Sequence, residues 1–359
     1  MEKLLILNPG STSTKIAVYE DEKALFVESI SHSSEEIAQY DNVADQYEFR
    51  EKLILDTIEK HGVSVNDLTG IVSRGGVLPP VHSGAYRVNE DMVWQLRYAP
   101  MNEHASNLGA IIAYEIGKRQ GIPALIYDAV GVDELIPLTQ VTGFPEIKRH
   151  GLGHNLNTRA AAIRYAKEHG KPYTESTIIV CHLGGGISVN LHHNGRIIDM
   201  VNDEVSTFSP ERAGLLPNLQ LLEMATSGEY DKKSLTKRIK SRGGLMAYFG
   251  ENDSRKVEAM VEAGDEKAKL VYEAMALNTS KNIAEVSVVV NGKVDAIVLT
   301  GGIAYSEMFT RMIIDRVSFI APVTVYPGEN EMESLALGGL RVMRGEETAR
   351  DYVKVIPEK

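Results

Sequence analysis

Twice along this chain an apolar strand runs into a turn of small residues and straight out into a second strand. The first copy occupies residues 4–30, LLILNPGSTSTKIAVYEDEKALFVESI, and the second residues 177–200, TIIVCHLGGGISVNLHHNGRIIDM. Each predicts strand, turn, strand, turn, strand, so the chain is read as an α/β protein of two similar halves. In the first turn Gly10, Ser11, Thr12 and Ser13 expose backbone N–H groups and hydroxyls; in the second Gly184, Gly185 and Gly186 do the same. Plain hairpins whose glycines supply positive φ are the alternative. Against it, the first turn carries Asn8, Ser11, Ser13 and Lys15 together, and a bare hairpin has no use for a lysine flanked by hydroxyls. A pair of phosphate-holding turns is the reading that explains both copies.

A chain of 359 residues exceeds one typical core, which agrees with two domains. The net charge of −11 argues against nucleic acid as a partner, because that binding is carried by stripes of lysine and arginine. Any anion site must therefore be local. The longest apolar runs, such as 177–181 and 296–299, fall far short of a membrane span, and 4–7 is too brief for a signal-peptide core. A cytoplasmic protein without membrane contact is expected. Cys181 lies inside a predicted buried strand, where packing is its expected role.

Between the copies, a helix is predicted over 48–61, with Phe49, Leu53, Ile54 and Ile58 near helical spacing. A strand over 70–73 leads into Arg74, Gly75 and Gly76. A second helix over 103–120 closes at Gly121, and a strand over 124–127 delivers Asp128 at its C-terminal end, where open α/β sheets bind ligands. Residues 145–157 carry Lys148, Arg149, His150 and His154 ahead of an alanine-rich helix over 158–169, and the domain junction is placed there, between 154 and 155. After the second copy come helical stretches up to Gly250, a short helix over 253–264 and a long one from Asp265. Residues 286–290, VSVVV, read either as a strand or as the tail of that helix capped by Asn291 and Gly292, and propensity favours the strand. A strand over 296–300 ends in Gly301 and Gly302, a third place for close backbone approach. Residues 332–343 form a packed terminal helix.

The segments NPGSTSTK, CHLGGGIS, LTGGIAYS and ENE, in that order, resemble the acetate and propionate kinase family of the actin, sugar kinase and Hsp70 superfamily. The resemblance implies a duplicated ribonuclease-H-like α/β fold with a ligand cleft between its domains: 1–154, then 155–331 for the nucleotide, with a C-terminal helix in 332–359 packing back on the first. It implies reversible transfer of the terminal phosphoryl group of ATP to a short-chain carboxylate, with ATP/ADP and Mg2+ as cofactors and a homodimer or higher assembly. On this resemblance Asn8, Ser11, Ser13 and Lys15 match the first phosphate loop, and Gly184, Gly185 and Gly186 the second, with glycine where acetate kinases usually carry asparagine. Arg74 matches the arginine that holds carboxylate and transferring group. Asp128 and Glu331 match acids associated with magnesium. Asp253, Arg255, Gly302, Ile303 and Ser306 fall where the family contacts adenosine. His104 and His154 are the candidates for its two histidines. The arginine the family has beyond Gly214 is missing, Leu219 and Gln220 standing there, and Arg212 is the available substitute.

The chemistry agrees with these residue types. A carboxylate attacking a phosphoryl group brings like charges together, and two unit charges about 4 Å apart at an effective dielectric of 20 repel by about 4 kcal/mol. Cationic neighbours are required, and Arg74 can bind oxygens bidentately. A carboxylate is already ionised at neutral pH, so His104 and His154 are expected as hydrogen-bond donors and not as proton shuttles. His182 is expected either to line the phosphates or to hold the glycine turn, and His192 and His193 to face solvent. Gly75 and Gly76 stand where acetate kinases place bulkier residues, which predicts a roomier acyl pocket walled by Gly75, Met101, Leu152 and Pro210. At about 0.8 kcal/mol per buried methylene, two extra carbons favour butyrate over acetate by about tenfold or somewhat more, and propionate, valerate and branched acids should be accepted too. Two competing classes remain: a sugar kinase using Asp128 as base, and a nucleotide-gated scaffold of the actin or Hsp70 kind.

Overall fold

Each strand–turn–strand copy opens one sheet in the computed structural model, which describes residues 1–98, 103–202 and 205–355. In chain order the strands are β1 (Lys3–Pro9), β2 (Ser13–Glu20), β3 (Lys23–Ser31), β4 (Gly70–Arg74), β5 (Ala85–Arg87) and β6 (Ala124–Tyr127). There follow β7 (Thr177–Leu183), β8 (Ile187–His193), β9 (Arg196–Val201), β10 (Ala296–Gly301), β11 (Val323–Pro327) and β12 (Arg350–Asp351). The chain forms two compact units, one of residues 1–133 with 330–359 and one of residues 134–329.

The first unit holds the sheet of order β12-β5-β6-β4-β1-β2-β3. Leu4, Leu5, Ile6 and Leu7 of β1 are fully buried, as expected for a strand with neighbours on both edges and cover on both faces. Antiparallel pairing sets Asn8 opposite Lys15, and parallel pairing sets Leu7 beside Ser73 and Arg74 beside Tyr127. The C-terminal ends of β1, β4 and β6 therefore bring Asn8, Arg74 and Asp128 to one edge. Three helices are Tyr47–Lys60, Glu90–Tyr98 and Asn107–Gln120. The last starts later than the 103 predicted, and the helix before it was not anticipated. Glu331–Met343 belongs to this unit, with Met332, Leu335, Ala336 and Leu340 buried.

The second unit holds the sheet of order β11-β10-β7-β8-β9, with β7 buried along its whole length. Parallel pairing sets Thr300 beside His182. The unit begins at Glu134, ahead of the junction expected between 154 and 155, because residues 134–154 are fastened to β9. Ile197 N–H donates to Glu134 Oε2 at 3.0 Å, and Arg149 pairs with Asp199 at 3.1 Å. The VSVVV segment is not a strand. Val286 and Ser287 finish the long helix Glu266–Ser287, 288–290 add a 3-10 turn, and Asn291 in the left-handed region (φ 55°) ends it. Ile283 and Val286 are buried in the core with Ile297 and Leu299, so packing of the helix face outweighs the strand preference of valine. Cys181 is fully buried in that core, and burial pushes its thiol pKa up.

Candidate functional site

In the first unit the sheet register builds a polar cluster at the end of β1 and β4. Glu331 occupies the first turn of helix Glu331–Met343, where a carboxylate is favoured by the helix N-terminus. Its Oε2 accepts from Asn8 Nδ2 at 2.6 Å, and its Oε1 accepts from Arg74 Nη1. His104 stands near Arg74 electrostatically: burial first, and the Arg74 charge second, hold its pKa below the ordinary 6.5. The Ser106 N–H donates to its Nδ1 at 3.2 Å, so the neutral ring carries its proton on Nε2. Asp128, bent into the left-handed region (φ 43°), is 2% exposed, and its Oδ1 accepts from the Gly84 N–H at 2.7 Å.

The turn between β1 and β2 has no positive φ at Gly10, so the simple hairpin explanation of that glycine does not apply. Ser11 is exposed, Ser13 half-buried and Lys15 exposed. Behind the turn lies Arg50, on helix Tyr47–Lys60 and 1% exposed. Its Nη1 donates to Gly10 O at 2.7 Å and its Nη2 to Ser11 O at 3.1 Å. Sequence reasoning missed this residue, although the signal was there: Arg50 shares the helix face of Ile54 and Ile58 at intervals of four, and a charge on an apolar face calls for a partner.

The expectation that Gly75 and Gly76 open an acyl pocket is corrected. A Cβ on Gly75 would fall 2.5 Å from Ala129 Cβ, and one on Gly76 2.3 Å from Asn107 Oδ1. The volume they lack is filled by protein. Met101 lies outside the described residues, Leu152 is 43% exposed, and Pro210 lines a cavity of the second unit.

That cavity, about 640 Å³, gathers Gly184 and Gly185 from the second turn with Asp253, Arg255, Gly302, Ile303 and Ser306. Glu258 and Tyr305, which sequence reasoning missed, also line it. Asp253 caps helix Ser254–Glu262 and receives both Nε and Nη2 of Arg255, at 2.9 and 2.7 Å. That fork holds the Asp253 carboxyl at about 2. Ser306 caps helix Glu307–Val317, accepting from Phe309 N–H at 3.0 Å, and donates to Glu258, which also accepts from Tyr272 at 2.9 Å. Gly301, at φ 91°, must be glycine: a Cβ there would meet Leu183 O at 2.4 Å.

None of Gly184, Gly185 and Gly186 has a positive φ; close approach explains two of them. A Cβ on Gly184 would lie 2.7 Å from His182 Nε2, and one on Gly186 2.8 Å from Arg212 Nε. His182 is buried, takes a hydrogen bond at Nδ1 from Asn157 Nδ2 at 2.8 Å, and stacks on His154 with centroids 3.9 Å apart. Its Nε2 lies 3.5 Å from Glu329 Oε2. His154 in turn bonds Ser188 Oγ at 3.0 Å. The two histidines therefore form one unit beneath the glycine turn. His192, expected at the solvent side, is fully buried; its Nδ1 lies 2.9 Å from the Tyr173 hydroxyl, and burial first, then Arg159, push its pKa down to about 3. It shares one face of β8 with Ser188 and Asn190, and both faces of that strand are buried. His193 is half-buried and bonds Thr177 Oγ1 at 2.8 Å.

The model of the acetokinase family matches residues 142–324. Among solved structures, an acetate kinase from Porphyromonas gingivalis superposes with a TM-score of 0.79 at 17% identity, over 96% of this chain and 100% of its own. A propionate kinase from Francisella tularensis gives 0.72 at 19% identity, over 94% and 99%. An ROK hexokinase from Thermus thermophilus gives 0.51 at 14% identity, over 96% and 100%. At these identities the superpositions report the fold, the duplicated α/β architecture of the actin and sugar kinase class.

Proposed function

This chain belongs to the acetokinase family, and on that premise we propose that it transfers the terminal phosphoryl group of ATP reversibly to a short-chain carboxylate, with butyrate, propionate, acetate and branched acids as the candidate acceptors. The observation that carries the choice of acceptor is the contrast between Arg74 and Asp128. Arg74 presents a guanidinium at the end of β4, next to the strand that carries Asn8, the cation an ionised acid requires. Asp128 is buried with Oδ1 engaged by Gly84, which argues against the poised base that a sugar hydroxyl would need.

In this reading Arg74 anchors the carboxylate and shares the charge of the transferring group. His104, neutral with its proton on Nε2, donates to a developing oxyanion. The 640 Å³ cavity suits the nucleotide: Gly184 and Gly185 would admit phosphates to the backbone, and Asp253, Arg255, Gly302, Ile303 and Ser306 would surround the adenosine. His182 and His154 support the glycine turn from below. Magnesium would neutralise phosphate charge. Among the described residues no three His, Cys, Asp or Glu side chains gather into a metal cage, and Asp128 and Glu331 already hold protein donors, so both would reach the ion through its waters. No helix among the described residues is long and apolar enough to cross a membrane, which suits a cytoplasmic enzyme, and the exposed Leu219 and Leu222 of helix Asn218–Thr226 suit a homodimer or larger assembly.

The test is ATP turnover with C2 to C6 acids, glycerol and hexoses, read as acyl hydroxamate and as ADP. Hydroxamate formed with the C2 to C6 acids supports the reading, and the acid that gives most identifies the preferred acceptor. ADP release with hexose and none with acids would overturn it.

A further inference from the structure

One face of β8 carries three polar side chains in succession, Ser188, Asn190 and His192, each 0% exposed. The other face of the same strand, Ile187, Val189 and Leu191, is apolar and belongs to the core. Antiparallel pairing sets His192 opposite Ile178 and Asn190 opposite Val180 on β7. The helix Asn155–Glu168 packs on both strands, meeting Ile178 and Val180 with Ala161, Ala162 and Ala166. A polar column in such a place is costly unless each of its groups is paired.

Most of these groups are paired. Ser188 Oγ bonds His154 at 3.0 Å. Asn190 Nδ2 donates to Asn155 Oδ1 and to Thr158 Oγ1, both at 2.9 Å, so its amide straddles the first turn of the helix that His154 precedes. His192 Nδ1 lies 2.9 Å from the Tyr173 hydroxyl. Within the column two atoms have no hydrogen-bond partner among the described residues, Asn190 Oδ1 and His192 Nε2. The first only accepts. Turning the Asn190 amide over would set its oxygen against Asn155 Oδ1, and Asn155 is itself held by its Nδ2 bond to Gly151 O at 2.9 Å. The second donates or accepts according to the tautomer. Residues two apart on a strand stand about 7 Å from each other, a spacing that suits one solvent molecule between the side chains. A water can donate to Asn190 and serve His192 in either tautomer.

We propose that one internal water joins Asn190 Oδ1 to His192 Nε2, and that Asn190, clamped in this way, is a positioning residue whose amide fixes the first turn of helix Asn155–Glu168. That turn holds His154, and with it the stacked His182 ring, beneath the glycine turn. An apolar column would serve stability as well; the polar one adds direction, because a satisfied network specifies one arrangement where apolar packing tolerates several. The effect on turnover rests on the carboxylate kinase reading, whereas the water and the clamp do not.

A crystal structure of the full-length chain should show one solvent molecule within hydrogen-bond reach of both atoms; side chains that meet directly, or no solvent between them, would overturn the proposal. Asn190→Leu and the milder Thr158→Val, which replaces the acceptor oxygen with a methyl group, are compared with the wild-type chain for melting temperature, the imidazole nitrogen shifts of His154, kcat and KM. Both should move the His154 signals, and Asn190→Leu should lower kcat by about tenfold or more with the KM for ATP and the melting temperature little changed. His192→Gln, which keeps a donor and an acceptor, should retain kcat within about twofold, while His192→Leu falls with Asn190→Leu and the double variant loses no more than either alone. Unmoved His154 signals in Thr158→Val would overturn the clamp whether or not the leucine variants fold, as would a kcat that only follows the melting temperature. Moved His154 signals without hydroxamate from any acid would sink the kinase reading and leave this one standing; acid turnover with unmoved signals would do the reverse.

Discussion

Glu331 closes its carboxylate on the guanidinium of Arg74, while its other oxygen accepts from Asn8 at 2.6 Å. The residue proposed to anchor the substrate acid is thus already held by an internal acid. Substrate must compete with Glu331 for it. Glu331→Gln removes the competing charge, and for a half-exposed pair the gain is small: the KM for butyrate should fall by about twofold to fivefold, with ATP affinity unchanged. A rise in that KM would show that Glu331 orients Arg74 toward the acid instead of occupying it.

Removal of the guanidinium itself has a larger consequence. Arg74→Ala should lower kcat at least about a hundredfold while ADP affinity, measured by calorimetry, stays nearly intact. Equal losses in both would assign Arg74 a structural part.

Gly75 tests the acyl pocket. A methyl there would overlap Ala129 and Ile126, so Gly75→Ala should cost about 1–3 kcal/mol of stability through overpacking and leave the ratio of kcat/KM for butyrate and acetate unchanged. A shift of that ratio toward acetate, with the melting temperature held, would restore Gly75 as a pocket wall.

The buried histidines set an acid limit. Burial pushes His192 down to about 3 in the folded chain against an ordinary 6.5, and His32 is also held below that value, chiefly by burial. A lowered folded pKa on a base means that the unfolded chain binds more protons below 6.5. Their contribution is therefore complete above pH 6.5 and is lost as pH falls toward 3. Urea midpoints measured from pH 7.5 to 4 should decline, and His192→Gln should flatten the slope over that interval. A slope unchanged by the substitution would place the acid sensitivity elsewhere.

Much of the arrangement was legible before the fold. Alternating strands and small-residue turns mark both sheets because a strand buried on both faces must be apolar and a turn must not be. Of the residues that gather in the cavity, Gly184 and Gly302 were legible as glycines at strand ends, whereas Asp253 and Ser306 entered only through the resemblance to the acetate and propionate kinase family. The failures share a cause. Val288, Val289 and Val290 prefer strand in isolation and form the end of a helix because its buried face belongs to the core. His192 looks solvated beside Asn194 and Gly195, yet β8 is covered on both faces, so the residue is buried.

What residue order alone determined is the pair of sheets, the two turns and the kinds of charge brought to them, since hydrophobic period and turn chemistry act over a few residues. Which neighbour each group would meet was decided only by tertiary structure. Glu331 on Arg74, Arg50 under Gly10 and Ala129 against Gly75 are contacts between segments distant in sequence, and their energies depend on burial that exists only once the chain has packed.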